Sequence, residues 1–508
     1  MSYYSKALRN VFFNWAILFV NIVVSFFLAP FVVHKLGNTY YGIWVIMMQL
    51  TGYLYLMDFG VRESLVRFIS KYHATENQTD IDNVIKAGLI LYSGIGLICF
   101  LLTFLFSFAA PYVFNLAESS IETTRIVVLL TGMNVTQALV FNVFSGIIMG
   151  MQRTDLTTKA GVLFVFIRLF LIVYFLNKGY GIIALGAIQL GVNLGLNWVT
   201  YIISRRLLSF NILSASPDRH VYRSIINYGS IVLLNNVCEK IILYTDTILI
   251  GIFLAPASVT FFAIAGNLVQ YVKRMVSSLA RVINPLTSEL ETRNETERIR
   301  TVLLLGSKFS LLVALPPCIT FLIMGRRFIS LWMGPEYMDL AGDVLMVLAV
   351  NLIFSTPHYT YNNIFYGTSR HHIIAICRLF EAVCNLTLSL LLIRPFGIVG
   401  VAYGTVVPHI VVTTFVLPYL VTKQVGIRLY DLYTMSYLRP AIAAIPFGIA
   451  MYFVNDYYPV GSLLMFFAEI LLLLPIYFLS AWFIAINQEE RNAYKERYFS
   501  RFFVFSKH

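Results

Sequence analysis

Apolar runs of about 20 residues recur along the whole chain, separated by short polar stretches. About 20 apolar residues, wound as a helix, cross the ~30 Å hydrocarbon core of a bilayer. Fourteen such runs can be placed, at approximately 11–33, 42–61, 84–108, 121–148, 159–177, 181–203, 224–252, 258–283, 302–324, 343–366, 371–393, 396–422, 437–454 and 460–486. Lipid offers backbone groups no hydrogen-bond partners, so only helices or a closed barrel can span it. Barrel strands alternate over about ten residues. These runs are twice as long and apolar on most faces, so the pattern predicts helices. The first run follows Lys6 and Arg9. It is too long for a cleaved signal and lacks an A-x-A site, so it reads as a signal-anchor helix. No connecting stretch exceeds about 20 residues, which leaves no room for a soluble catalytic domain. No enzymatic activity is expected.

The pattern also repeats. G150-M-Q-R153, an apolar run and G181-I-I-A-L-G186 reappear as G367-T-S-R370, an apolar run and G397-I-V-G-V-A-Y-G404. Arg153 and Arg370 are 217 residues apart, and Gly181 and Gly397 are 216 apart. Such offsets predict six helices in each of two repeats, followed by two more. The expected domains are residues 1–210 and 218–425 as six-helix bundles, 437–486 as helices 13 and 14, and 487–508 as a basic cytoplasmic tail. An even number of spans keeps both repeats in the same orientation, related by an axis along the membrane normal. Two bundles so arranged leave a cleft, the usual setting for alternating access.

Polar residues inside the runs fall into stripes. Intramembrane polar groups are expensive and mark bundle interiors, wet cavities or helix contacts. Asn14 and Asn21 share a face of the first run, as do Gln189, Asn193 and Asn197 in the sixth. The seventh run carries Asn235, Glu239 and Asp246 beside Lys240, and the eighth carries Gln270, Arg274 and Arg281. Asn351 and His358 align in the tenth, and Arg378 with Glu381 in the eleventh. Arginine forms bidentate bonds with phosphate and carboxylate. Arg274, Arg281, Arg378, Arg168 and Lys240 are therefore the expected cationic cavity for an anionic headgroup. Asn14, Asn21, Asn193, Asn235, Gln270, Asn351 and His358 are its expected polar lining. Asp246, Glu239 and Glu381 are candidates for ion coupling, with pairing to Arg378 the plainer role for Glu381. Asp58, in D58-F-G-V-R-E63, is expected to cap the chain reversal or pair with Arg62, a structural or gating role.

Composition narrows the class. The chain has 508 residues, 58% hydrophobic and 12% charged, with mean hydropathy +0.76. Soluble domains carry about 25% charged residues. A net charge of +12 can signal nucleic acid, but here the basic residues read as topogenic, and no nucleic-acid partner is expected. Of 37 Lys and Arg, six fall on outer loops (Lys35, Arg125, Lys178, Arg326, Arg327, Arg394) if the N-terminus is cytoplasmic. Another six (Arg168, Lys240, Lys273, Arg274, Lys308, Arg378) lie in or at the ends of spans, and the other 25 fall on inner segments. That asymmetry predicts both termini in the cytoplasm. All five cysteines sit in apolar runs and read as core residues. There is no phosphate-binding glycine loop and no metal-ligand spacing, so no metal or other cofactor is expected.

The segment N14 through P30, then L36-G-N-T-Y-Y-G-I-W44 and D58-F-G-V-R62, resembles the opening of the polysaccharide transporter family. L331-W-M-G-P-E-Y337 with A341-G-D-V-L345, and R394-P-F-G-I-V-G-V-A402, resemble two of its later loops. These are the O-antigen and capsule flippases of the multidrug/oligosaccharidyl-lipid/polysaccharide superfamily. The resemblance implies an all-α polytopic membrane protein of about 14 transmembrane helices, with two pseudo-symmetric six-helix bundles and two C-terminal helices. It implies translocation of an undecaprenyl-diphosphate-linked glycan across the bacterial inner membrane, by alternating access and coupled to an ion gradient. Beyond that glycan and the lipid bilayer, it implies a polysaccharide polymerase and a chain-length regulator as partners. A multidrug or cation exporter, or a lipid II flippase, would share the fold. A membrane polymerase would need a large periplasmic loop, which this chain lacks.

Overall fold

The computed structural model describes the backbone of residues 3–458 and 461–492, with side chains from residue 17 onward except 228–236. Among the described residues every regular element is helical. The chain forms two compact units, Met1–Thr260 and Phe261–His508.

The first unit holds α1 (Tyr3–Leu54), α2 (Val61–Ala74), α3 (Gln78–Val113), α4 (Glu118–Gly150), α5 (Thr154–Asn177), α6 (Gly181–Leu207) and α7 (Arg219–Phe253). Local chemistry sets the boundaries. The Asn77 side chain accepts from the Asp80 N–H to start α3, and Asp218 accepts from the Val221 N–H to start α7. The apolar segment Ile17–Asp58 has 42 residues, roughly 63 Å as one helix. That is twice the bilayer core. Gly37, at φ 76° and ψ 164°, breaks it, in backbone space that a side chain would disfavour.

α8 (Pro256–Ala280) straddles the division. The second unit continues with α9 (Ile283–Thr292), α10 (Thr296–Met333), α11 (Leu340–Ser355), α12 (His358–Gly367), α13 (His371–Ile410), α14 (Leu417–Val425), α15 (Leu429–Tyr433), α16 (Arg439–Tyr457) and α17 (Leu463–Ser480). α13 is broken at Gly397, with φ 58° and ψ −138°. α11 and α12 meet at a 46° bend.

Nine segments among the described residues are long and apolar enough to cross a membrane, ten if the bent α11–α12 pair is one span. Fourteen crossings follow if the segments broken at Gly37 and Gly397 are two passes each and the charged α7 and α8 are one each. Phe19, Leu105, Phe170, Leu391 and Leu472 stand exposed. An apolar surface of this extent matches lipid, whereas in water it would drive association.

The backbone repeats itself between the units. Gln152 and Ser369 both sit at φ 56°. The next residues make the same turn-closing bond: Arg153 N–H to Ile148 O at 3.0 Å, and Arg370 N–H to Phe365 O at 2.8 Å. Further upstream, Asn77 N–H bonds Tyr72 O at 3.0 Å and Glu295 N–H bonds Leu290 O at 2.9 Å. Their packing matches too. Val61, Leu65, Ile69, Ile85 and Ile147 form a core in the first unit. Ile283, Leu290, Leu303, Ile364 and Phe365 form one in the second. A Cβ on Gly88 would lie 2.9 Å from Leu65, and one on Gly306 would lie 2.8 Å from Ile283. Small residues allow this approach, and in lipid close packing is a main attraction between helices.

The stretch just after α17 is tied down by charge. Lys308 on α10 is 1% exposed. Its Nζ donates to both Glu490 carboxylate oxygens, at 2.7 and 2.9 Å. The Asn487 N–H donates to Glu490 Oε2 at 2.8 Å, and Arg439 bonds the Asn487 side chain.

Candidate functional site

Each unit carries a polar cluster within its helices, buried at Asn134 in the first and at Glu381 and His358 in the second. In the first, Arg168 Nη2 on α5 donates to Asn193 Oδ1 on α6 at 2.7 Å. Asn193 Nδ2 donates to Asn134 Oδ1 on α4 at 2.9 Å, and Asn197 Nδ2 donates to Gln137 Oε1 at 2.8 Å. Arg168 Nε is buried without a hydrogen-bond partner. Three helices thus hold one guanidinium with neutral amides. Its charge is oriented but uncompensated by these partners, an arrangement suited to an anion.

In the second unit the chain is irregular around the cluster. His358 begins α12 just past the bend, and its ring bonds the Ser355 carbonyl. His409 follows Pro408 and precedes a π-helical segment, Val411–Val416. Such segments recur at functional sites. Thr413 Oγ1 donates to the His409 carbonyl at 2.6 Å. The two arms of α13 approach closely, since a Cβ on Gly404 would lie 2.3 Å from Ser389 Oγ. That approach lets Asn385 Nδ2 donate to Thr405 Oγ1 at 3.0 Å. One turn further along, His409 Nδ1 lies 2.5 Å from Glu381 Oε1. His409 Nε2 is buried with no hydrogen-bond partner. The His409 ring stands edge-on to His358, with centroids 5.3 Å apart. Lys273 on α8 and Arg378 on α13 act electrostatically on both Glu381 and His358.

The two clusters occupy corresponding places. Asn134 and Asn351 are 217 residues apart, Arg168 and Asn385 also 217, and Asn193 and His409 216. The first unit fills this place with a fixed cation and amides. The second fills it with a carboxylate, two imidazoles and two cations.

Asp58 forms a third centre. It ends a 3-10 turn after α1, ahead of left-handed Phe59 and Gly60. Its Oδ2 accepts from Tyr92 Oη at 3.0 Å and Asn142 Nδ2 at 3.1 Å. Its Oδ1 accepts from the Arg62 N–H at 3.3 Å. The Arg62 guanidinium turns to Glu63 at 2.9 Å. Asp58 thus caps through the backbone and ties α3 and α4 to the break. Ser310 and Thr360, each 218 residues after Tyr92 and Asn142, hydrogen-bond with each other at 3.3 Å in the second unit.

The other predicted residues are scattered. Arg274 and Arg281 are exposed, Gln270 is half-buried, and Asn351 is buried. Asn21 donates to its own helix at Ile17 O, 2.8 Å away. Lys240 donates to Tyr244 Oη at 3.2 Å and lies over its ring. Asp246 is buried on α7, next to Thr245, whose hydroxyl is 2.6 Å from Tyr53 Oη. Glu239 is exposed. The side chains of Asn14 and Asn235 lie outside the described residues. Glu381 meets His409 from the other arm of α13, and Arg378 acts on it electrostatically. Sequence reasoning passed over His409 and Lys273. The signals were a polar residue after Pro408 in an apolar run, and a second cation beside Arg274.

Residues 7–291 match the family described as polysaccharide biosynthesis protein. The chain belongs to this family. An uncharacterized membrane protein of Methanocaldococcus jannaschii is 22% identical over 83% of this chain and 85% of its own length. A putative O-antigen transporter of Shigella flexneri is 19% identical over 78% of this chain and 93% of its own. A probable low-salt glycan biosynthesis flippase of Haloferax volcanii is 26% identical, but over 39% of this chain and 42% of its own. Among solved structures, the lipid II flippase MurJ in an inward closed conformation superposes with TM-score 0.73 at 13% identity, covering 93% of this chain and 98% of its own. An inward-facing multidrug MATE transporter of the MOP superfamily superposes with TM-score 0.69 at 15% identity, covering 82% and 95%. The polysaccharide family member described here therefore has the all-helical, multi-pass membrane fold of that superfamily.

Proposed function

We propose that this protein moves an oligosaccharide linked to undecaprenyl diphosphate from the cytoplasmic to the periplasmic leaflet of the bacterial inner membrane. The observation that carries the reading is the pair of cation-bearing clusters in the helices, around Arg168 in one unit and around Lys273 and Arg378 in the other. Half-buried guanidinium and ammonium groups fit a diphosphate. The amides beside Arg168 can hydrogen-bond sugar hydroxyls. Membership of the polysaccharide family supports a glycan cargo, and the fold supports an alternating-access cycle in which the two units move. Both termini are assigned to the cytoplasm. A polymerase and a chain-length regulator act on the product.

The test is deletion of the gene in its host, followed by extraction of lipid-linked oligosaccharides. Accumulation of undecaprenyl-diphosphate glycan with loss of surface polysaccharide is expected. Intact surface glycan with raised sensitivity to cationic dyes would instead make the protein a drug exporter.

A further inference from the structure

The second cluster contains more chemistry than anion binding needs. At the corresponding place the first unit manages with Asn193 and Asn134, so packing alone does not demand an imidazole or a carboxylate. The second unit has placed Glu381 and His409 in contact, on two arms of α13 that close over Gly404. His409 keeps its other ring nitrogen buried and without a hydrogen-bond partner, edge-on to His358.

We propose that the Glu381–His409 pair takes up a proton when an anionic cargo headgroup engages Lys273 and Arg378, so that proton and cargo are bound together. This rests on the flippase reading above and deepens it by naming the ion.

The argument is electrostatic. Glu381 lies against His409 and in the field of Lys273 and Arg378. A diphosphate that recruits those two cations removes part of that field and adds negative charge nearby. In a low-dielectric site an undercompensated carboxylate is costly. The least expensive relief is one proton. It is held either on the carboxylate or on the imidazole, which then becomes an imidazolium against Glu381. When the cargo leaves, Lys273 and Arg378 return to Glu381 and the proton is released.

The other groups that face the pair agree with this assignment. α12 contributes His358, with the Tyr359 ring against it, and α13 contributes Cys377 one turn from Glu381. Lys273 and Arg378 are the cations. Nitrogen-bearing groups dominate these surroundings. Two imidazoles and two cations beside one carboxylate suit a proton better than sodium, which needs a shell of oxygen ligands. The linkage also has a definite sign. Anion and proton favour each other's binding, whereas a competition scheme would have cargo expel the proton.

The experiment uses the full-length protein in nanodiscs at pH 8.0, in weak buffer with a pH indicator, and farnesyl diphosphate as the soluble probe. The expected result is uptake of about one proton per probe bound, with no change when choline replaces sodium at constant ionic strength. His409→Asn installs the residue that the first unit uses and should keep the fold. It should bind the probe with uptake reduced at least threefold, and Glu381→Gln should do the same. Binding by the natural protein without proton uptake overturns the proposal and leaves the flippase reading standing. So does proton release in place of uptake, binding that depends on sodium, or undiminished uptake by His409→Asn. Failure of the natural protein to bind the probe at all overturns the anion-binding reading on which the proposal rests.

Discussion

The ion pair between Lys308 and Glu490 gives the sharpest prediction about stability, because its two ends differ in burial. The Lys308 side chain is 2% exposed and that of Glu490 is 21% exposed. Removing one partner of a buried pair costs about 3–5 kcal/mol, since the other charge is left uncompensated. Glu490→Ala strands the ammonium in the interior, and a cost of about 3 kcal/mol is expected. Lys308→Met strands a carboxylate that already touches water, and the methionine refills the lysine stem's volume, so about 1 kcal/mol is expected. The double variant should resemble Lys308→Met, because no buried charge remains. The two changes should therefore couple by about 3 kcal/mol. The assay is the fraction of monodisperse protein left after heating in detergent. Unfolding of a large membrane protein is not two-state, so the rank order of midpoints is the readout. The order natural protein, then Lys308→Met with the double variant, then Glu490→Ala is expected. A Glu490→Ala protein as heat-resistant as Lys308→Met would refute the reasoning.

Asp58→Ala should cost about 2–3 kcal/mol by leaving the Tyr92 hydroxyl and the Asn142 amide without their acceptor; a heating midpoint equal to that of the natural protein would contradict it. Gly42→Ala would place a Cβ 1.8 Å from the Pro256 carbonyl oxygen. It should sharply reduce the yield of folded protein, whereas Gly94→Ala, with nothing within 4 Å, should not. Arg168→Ala and Arg378→Ala should each weaken headgroup binding by about 1.5–3 kcal/mol and impair transport at normal expression, read as accumulated lipid-linked oligosaccharide in a complemented deletion strain. Normal transport by both variants would remove the cationic clusters from the mechanism.

Most of the fold was legible because hydropathy is a local property. Twenty apolar residues in a row must cross the bilayer or be buried, whatever the rest of the chain does. The break at Gly397 was visible as a landmark of the internal repeat, and the structure gives it positive φ. Gly37 lay in the L36-G-N segment between two apolar runs. The site was less legible, because polar groups in a bundle choose partners in three dimensions. Spacing along a helix put Arg168 and Asn193 each among polar candidates but could not join them, since α5 and α6 lie antiparallel with their contact set by packing. The same limit hid His409. Nothing one turn away along its own helix announces Glu381, which lies on the other arm of α13. Stripe geometry also selected Arg274, which stands exposed, and did not single out its neighbour Lys273, which acts on Glu381 together with His409 and Arg378.

Ser310 and Thr360 have a practical consequence. Near the place where the first unit uses a carboxylate to satisfy a tyrosine and an amide, two hydroxyls of the second unit satisfy each other. The molecule thus contains a worked alternative to its own buried acid. Asp58→Ala combined with Tyr92→Ser and Asn142→Thr transplants that alternative, and it separates what Asp58 does for assembly from what it does for movement. A triple variant that inserts and resists heat normally but no longer transports would assign the acid to the transport cycle. In a protein built this way, each half serves as the control for mutations made in the other.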